Sequence, residues 1–303
     1  MSQKYFFKYK NSSLDHVKYY WPSPAKINLF LSVIGRRFDG YHYIQTVFRF
    51  LEYSDILVIN STLNKKITLI NSIQGIHYED NLIIRSAKLL QNFLQKYKNQ
   101  KVFGANIFIK KNIPIGSGLG GGSSNAATTL LALNFHWKCG LSLKTLANLG
   151  LKIGSDVPTF IYGQSAFAEG IGEKLSLINL PLKWYLIIVP PISISTKSMF
   201  DKFSMRYYSL PKTLNQHLKK PFTNDFQNLV KKNFSIMDNL IKKYSRYAQF
   251  RLTGTGGCIF AEFCSEKNAQ EILYKLPKNI RAFISKSSNM SLLRKVLNNR
   301  FRV

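Results

Sequence analysis

The sequence predicts an α+β protein of two domains. Runs of strand length and runs with helical spacing are mixed along the chain without the strict alternation of a doubly wound sheet. The chain has 303 residues and 45% apolar content, enough for a sizeable core and about two domains. A glycine-dense loop joins a strand to an alanine-rich helix.

The elements follow in order. Ile27–Ile34 reads as a strand, closed by Gly35 and a turn at Asp39-Gly40. Ile56–Ile59 and Ile67–Ile70 read as two further strands. Asn81 is placed to cap a helix over residues 82–97, with Leu82, Ala87, Leu90 and Leu94 inward. Asn106–Ile109 is another strand. The glycine loop and a helix from about Ser124 to Trp137 follow, then a helix over Leu143–Leu151. Ala166–Ala168 and Tyr185–Val189 are strands near a domain boundary at about residue 180. Residues 201–250 are lysine-rich and expected to be mostly helical, with loops near Pro211 and Pro221. Arg251–Phe263 reads as strand, glycine turn, strand. The expected division is an N-terminal extension over 1–20, one domain over 21–180 and a second over 181–303.

Composition narrows the class. Lys and Arg number 43 against 15 Asp and Glu, a net charge of +28, which favours anionic partners such as nucleotides, phosphorylated substrates or nucleic acid. The lysines are spread throughout rather than gathered on one basic stripe, which argues against a nucleic-acid-binding protein. Cys139, Cys258 and Cys264 lack zinc-type spacing and read as reduced thiols. The run Tyr185–Val189 is too short to span a bilayer, and residues 1–20 lack the apolar centre of a signal peptide. A cytoplasmic protein without a membrane partner is expected.

The loop comprises Pro114, Ile115, Gly116, Ser117, Gly118, Leu119, Gly120, Gly121, Gly122, Ser123 and Ser124, five glycines among eleven residues. Glycine lets backbone N–H groups converge where a side chain would intrude, and a helix start adds unpaired donors and the positive end of its dipole. Ser123 or Ser124 would cap that helix and donate to a phosphate oxygen. There is no Gly-Lys-Ser/Thr, so this is not a Walker loop. Gly116, Gly118 and Gly121 match the dinucleotide pattern, but its acidic ribose partner is missing. No acidic residue stands between Asp80 and Asp156, which suits a polyanion site. Asp156, just before Val157-Pro158, reads from its surroundings as a helix cap.

Three blocks carry a resemblance. Pro24-Ala-Lys-Ile-Asn-Leu29, the loop 114–124 and Leu252-Thr-Gly-Thr-Gly-Gly257 resemble the three motifs of the GHMP kinase superfamily, which includes galactokinase and the homoserine, mevalonate and phosphomevalonate kinases. Asp39-Gly-Tyr-His42, the triple glycine before Ser123-Ser-Asn125, Ser155-Asp-Val-Pro158 and Ala166-Phe-Ala-Glu-Gly170 resemble one branch, whose substrate is a cytidine diphosphate sugar alcohol. The resemblance runs from about Trp21 to the C-terminus.

It implies a GHMP-kinase-like architecture with the active site in the inter-domain cleft. It also implies ATP-dependent phosphorylation of a tertiary hydroxyl in isoprenoid precursor biosynthesis. Asp156 would orient or deprotonate that hydroxyl, Lys26 would stabilise the alkoxide, and loop 114–124 would cradle the ATP phosphates. Tyr41 and Phe200 would sandwich the cytosine, His42 would bond its edge, Asn28 would touch substrate, and Thr196 would face the ribose or diphosphate. Ser195 stands where relatives commonly have proline, and Thr253 replaces a more usual serine. The helix after the loop has no acidic residue, so no protein-held metal is expected. Mg²⁺ would arrive with ATP, Ser124 being one candidate contact.

Overall fold

The computed structural model describes residues 19–97, 103–219 and 221–300. The expectation of an extension over 1–20 lies outside the described residues, apart from Tyr19 and Tyr20.

Two long strands dominate. β1 (Tyr20–Arg36) and β2 (His42–Thr62) form an antiparallel hairpin. Its turn contains Gly40 at φ 89° and is tied by Arg37 Nη2 to Asp39 Oδ2 at 2.7 Å. A left-handed φ is what glycine permits without a Cβ penalty. The sequence reading found only the end of β2. The part before Ile56 carries Gln45, Arg49 and Asp55 at buried positions, which breaks the alternation that marks a strand.

β3 (Ile67–Leu69) runs parallel to β4 (Gly104–Lys110), and β4 pairs antiparallel with β2. α1 (Leu82–Tyr97) connects them; Asn81 Oδ1 accepts from the Ile83 N–H at 2.9 Å. Ala87, Leu90 and Leu94 are buried as expected, together with Ile83 and Ile84, whereas Leu82 is only half-buried and faces the cleft described below.

α2 (Gly121–His136) is buried on nearly every face, so it shows no apolar stripe. It packs on β1 and β2, on α1 and on α3 (Leu143–Leu151) and α4 (Val157–Tyr162). β5 (Ala166–Glu169) pairs with β2, and β6 (Lys174–Leu177) with β5.

The second half is built on β7 (Trp184–Val189), flanked by β9 (Ile259–Phe263) and β10 (Arg281–Ser288), with β8 (Arg251–Leu252) outside β9. Its helices are α5 (Thr196–Asp201), α6 (Leu214–Leu218), α7 (Gln227–Asn233), α8 (Ser235–Tyr244), α9 (Glu266–Leu273) and α10 (Leu292–Arg300). Residues 201–250 hold α6, α7 and α8, with loops near Pro211 and Pro221 as expected. The loop around Thr223 bonds to the edge of β1, Leu31 N–H to Thr223 O at 3.1 Å and Asp225 N–H to Leu31 O at 2.9 Å.

The halves are continuous through the sheet. β10 pairs with β2 at Ser287–Leu51 and Ser288–Phe50. One core cluster joins Ile27, Phe30 and Leu119 to Tyr185, Ile187 and Phe260. Such a shared apolar core holds the two halves at a fixed separation, and the site lies along that seam.

Candidate active site

The backbone brings the three sequence motifs together. The Lys26 N–H donates to Leu119 O at 3.0 Å, so β1 bonds to the glycine loop where a further strand could pair. The Asn28 N–H donates to Thr253 Oγ1 at 3.1 Å, and Thr253 Oγ1 donates to Gly118 O at 3.4 Å. A hydroxyl is what this bridge requires, and threonine supplies it as serine would.

The loop is held open by backbone shape. Gly116, Gly118 and Gly120 have φ of 64°, 74° and 73°. α2 starts at Gly121, with Gly120 at the cap position and no side chain capping. The first-turn N–H groups are therefore left for a ligand. This corrects the expectation that Ser123 or Ser124 caps the helix, since both lie inside its first turn. Ser124 is fully buried and its Oγ accepts from Ser23 Oγ at 2.9 Å. Ser124 and the buried Leu119 do not line the cleft, whereas Pro114, Ile115, Gly116, Ser117, Gly118, Gly120, Gly121, Gly122 and Ser123 do.

The cleft measures about 880 Å³ and also takes in Lys26, Asn28, Tyr41, His42, Asp156, Thr196 and Phe200. At its centre Lys26 Nζ lies 3.2 Å from Asp156 Oδ2. Lys26 is 4% exposed and Asp156 30%, so the carboxylate is the member that a ligand can reach. Lys26 Nζ also donates to Asn28 Oδ1 at 2.7 Å and sits 5.1 Å from the centre of the Phe48 ring. Asp156 occupies the cap position of α4, but its side chain caps nothing and its backbone is helical. The simple capping role therefore fails.

Asn28, expected to touch substrate, lines the cleft with its amide engaged on both sides, by Lys26 and by Thr46. Tyr41 is 56% exposed, which excludes ordinary core packing. His42 is buried, and its Nε2 has no partner among the described residues. Such an orphan costs free energy unless a ligand satisfies it. Burial, and then the Arg36 charge, hold the His42 imidazole below its usual range, while Asp201 opposes them. The His42 and Phe200 rings lie 5.0 Å apart, and Phe200 is backed by Phe226 at 4.8 Å. Thr196 opens α5 and accepts from Thr255 Oγ1 at 3.0 Å. Ser195 caps that helix, accepting from the Ser198 N–H at 3.3 Å.

Sequence reasoning missed a buried brace beneath the loop. Asp55, fully buried, accepts from Lys111 Nζ at 2.7 Å, from the Asn112 and Ile113 N–H groups at 2.7 and 2.8 Å, and from Asn125 Nδ2 at 2.9 Å. Lys111 and Asn125 line the cleft. Burial lowers the Lys111 ammonium from its usual range, and Asp55 opposes that shift. Asp55 sits in a plain strand with no motif around it. The one signal was a carboxylate directly before the apolar run Ile56–Ile59.

Among the described residues no group of three or more His, Cys, Asp or Glu side chains is placed to hold a metal, and no helix is long and apolar enough to cross a membrane. Cys139, Cys258 and Cys264 are free thiols.

A glycine loop, a lysine–carboxylate pair and an aromatic recess share one cleft. The chain belongs to the GHMP kinases: the family descriptions "GHMP kinases N terminal domain" and "GHMP kinases C terminal" match residues 81–164 and 210–282. It is 62% identical over 292 residues to the 4-diphosphocytidyl-2-C-methyl-D-erythritol kinase of Wigglesworthia glossinidia brevipalpis, covering 96% of both chains. It is 48% identical to the kinase of the same name from Haemophilus ducreyi, over 91% of this chain and 97% of that one. A crystal structure of 4-(cytidine 5'-diphospho)-2C-methyl-D-erythritol kinase superposes with a TM-score of 0.73 at 27% identity, over 89% of this chain and 99% of that one. Homoserine kinase from Cytophaga hutchinsonii shares the fold, with a TM-score of 0.61 at 17% identity over 93% of this chain and 98% of that one.

Proposed function

We propose that the protein transfers the γ-phosphoryl group of ATP to the 2-hydroxyl of 4-diphosphocytidyl-2-C-methyl-D-erythritol, a step of isoprenoid precursor biosynthesis. The observation that carries this reading is the Lys26–Asp156 pair, set between the glycine loop and the Tyr41–His42–Phe200 recess of one cleft. The high identity to kinases bearing that substrate's name supports it.

In this reading the loop glycines and the start of α2 receive the ATP phosphates, because unpaired N–H groups and the helix dipole favour an anion there. Tyr41 and Phe200 stack on the cytosine, and the orphan Nε2 of His42 meets its edge. Thr196 faces the ribose or diphosphate. The sugar alcohol then spans from this recess to Asp156. Asp156 orients the hydroxyl and accepts its proton as the new O–P bond forms. Lys26 neutralises the developing alkoxide. Phosphoryl transfer needs mainly such positioning and charge neutralisation.

The side chains of the cleft do not build a metal cage, and Ser124 is sealed against Ser23. Mg²⁺ is assigned to the ATP phosphates and water, in keeping with its need for few protein ligands. The protein is assigned to the cytoplasm. Its ATP-binding part gives way to the C-terminal part near residue 180. ADP release on addition of the cytidylated alcohol, and its absence with mevalonate or homoserine, tests the substrate. A protein equally active on those simpler alcohols would contradict it.

A further inference from the structure

The side chain that holds Lys26 is itself held. Asn28 Oδ1 accepts from Lys26 Nζ at 2.7 Å, and Asn28 Nδ2 donates to Thr46 Oγ1 at 2.9 Å. Thr46 Oγ1 in turn donates to the carbonyl of Phe30. Lys26, Asn28 and Thr46 are 4%, 3% and 0% exposed, so water does not compete for these bonds.

The fold creates the acceptor. Asn28 pairs with Phe48 and Leu31 with Thr46, so Leu29 and Phe30 together oppose Val47 alone. Such a bulge interrupts the ladder and turns a backbone group away from its regular partner. The Phe30 carbonyl is thereby presented to the Thr46 hydroxyl on the facing strand.

Proton counting fixes the rest. A hydroxyl has one proton to give, and Thr46 gives it to Phe30 O, which can only accept. Thr46 can therefore meet Asn28 only as an acceptor. The Asn28 amide must show Thr46 its NH₂, which leaves Oδ1 facing the Lys26 ammonium. The opposite amide orientation would set two N–H donors against a buried cation.

We infer that Thr46 is a positioning residue for phosphoryl transfer: through the Asn28 amide it fixes Lys26 Nζ beside Asp156. The inference rests on the proposed roles of Lys26 and Asp156. It adds a strand residue that belongs to none of the three motifs and lies outside the substrate recess. It also gives Asn28 a task in the reacting pair.

Thr46→Val keeps the branched shape and removes the hydroxyl, while Thr46→Ser keeps the hydroxyl. The expected result for Thr46→Val is a kcat loss of about tenfold or more, with KM for ATP and for the cytidylated alcohol within about twofold, since the lost geometry matters to the transition state. Thr46→Ser should recover most of the rate. A second readout needs no substrate: the ¹⁵N resonance of the Lys26 ammonium, assigned by its loss in Lys26→Met, should move in Thr46→Val and stay in Thr46→Ser. Should Thr46→Val fail to fold, Thr46→Ala takes its place with both readouts. A normal kcat with an unmoved resonance overturns the inference. So does a serine variant as slow as the valine one, or a KM rise at unchanged kcat. A wild-type protein inactive on the cytidylated alcohol would refute the substrate proposal instead, and the resonance would still decide the role of Thr46.

Discussion

Lys26 Nζ stands 3.2 Å from Asp156 Oδ2, and the two come from different elements, β1 and the start of α4. Because the Asp156 side chain caps nothing, the start of α4 should survive its loss. Asp156→Asn nevertheless leaves the buried Lys26 ammonium without its counter-charge and should lower stability by about 1–3 kcal/mol. Its kcat should fall by about 100-fold or more, the scale of a lost general base. Lys26→Met should lose rate likewise, and because it leaves the buried Asn28 Oδ1 without its donor it should also lower stability by about 1–3 kcal/mol. The double variant should lose less than the product of the single losses, because the residues act as a unit. Kinetics and thermal melts on the four proteins check this; full multiplicativity would show that the residues act independently.

Gly118 faces protein rather than phosphate. A Cβ there would stand 2.4 Å from Thr253 O and 2.9 Å from Gly256 O, at a φ of 74° that strains any L side chain. The space occupied belongs to the third motif, so the loop would be pushed off its support. Gly118→Ala should therefore lower stability by about 1–2 kcal/mol or more from the left-handed backbone alone, and weaken ATP binding with it. Melting and calorimetry on one preparation test this. ATP affinity lost at wild-type stability would show that the glycine contacts phosphate directly.

Tyr41 and Phe200 should separate by what backs them. Tyr41 is largely exposed, whereas the Phe200 ring rests 4.8 Å from Phe226. Tyr41→Ala should weaken the cytidylated substrate by about 1–3 kcal/mol, the worth of one base–aromatic stack, and leave ATP affinity and stability unchanged. Phe200→Ala should weaken the substrate and also lower the melting temperature. Equal loss of ATP and substrate binding in Tyr41→Ala would remove it from the nucleobase recess.

Stability should fall as pH drops below the ordinary histidine value. Burial, chiefly, lowers both His42 and His217 from 6.5. The unfolded chain then takes up protons near pH 6.5 that the folded chain declines, so folding weakens from there downward until the folded residues protonate too. Asp225, raised by burial from 3.8, acts in the opposite sense at lower pH. Melting temperature should thus decline between about pH 7.5 and 5.5, and His217→Gln should flatten the slope. An identical slope in that variant would mean that other groups control the dependence.

The sequence made the site legible wherever chemistry needs a particular residue in a particular neighbourhood. Gly116, Gly118 and Gly120 announce themselves because glycine adopts their left-handed φ without a Cβ penalty, and Lys26, Asp156, Tyr41 and His42 lie in blocks with a family pattern. Asp55 and Thr46 were hidden, since they act through contacts 58 residues away at Ile113 and across a bulge at Phe30. The part of β2 before Ile56 was hidden by its buried Gln45, Arg49 and Asp55, polar residues satisfied only in three dimensions. Residues 201–250 form α6, α7 and α8 with loops near Pro211 and Pro221 as expected, but nothing local signalled that the loop at Thr223 would bond the edge of β1. Beyond Phe263, no local pattern announced that α10 would pack against β1 and bring its Leu293 and Leu297 into the first core cluster.

The most direct measurement is a coupled ADP-release assay on the wild type and Asp156→Asn, with 4-diphosphocytidyl-2-C-methyl-D-erythritol, mevalonate and homoserine offered in turn. The wild type should release ADP only with the cytidylated alcohol, and Asp156→Asn should lose about 100-fold or more of that rate while still binding ATP. Near-normal turnover by Asp156→Asn, or wild-type turnover with the simpler alcohols but not the cytidylated one, would contradict the proposed reaction.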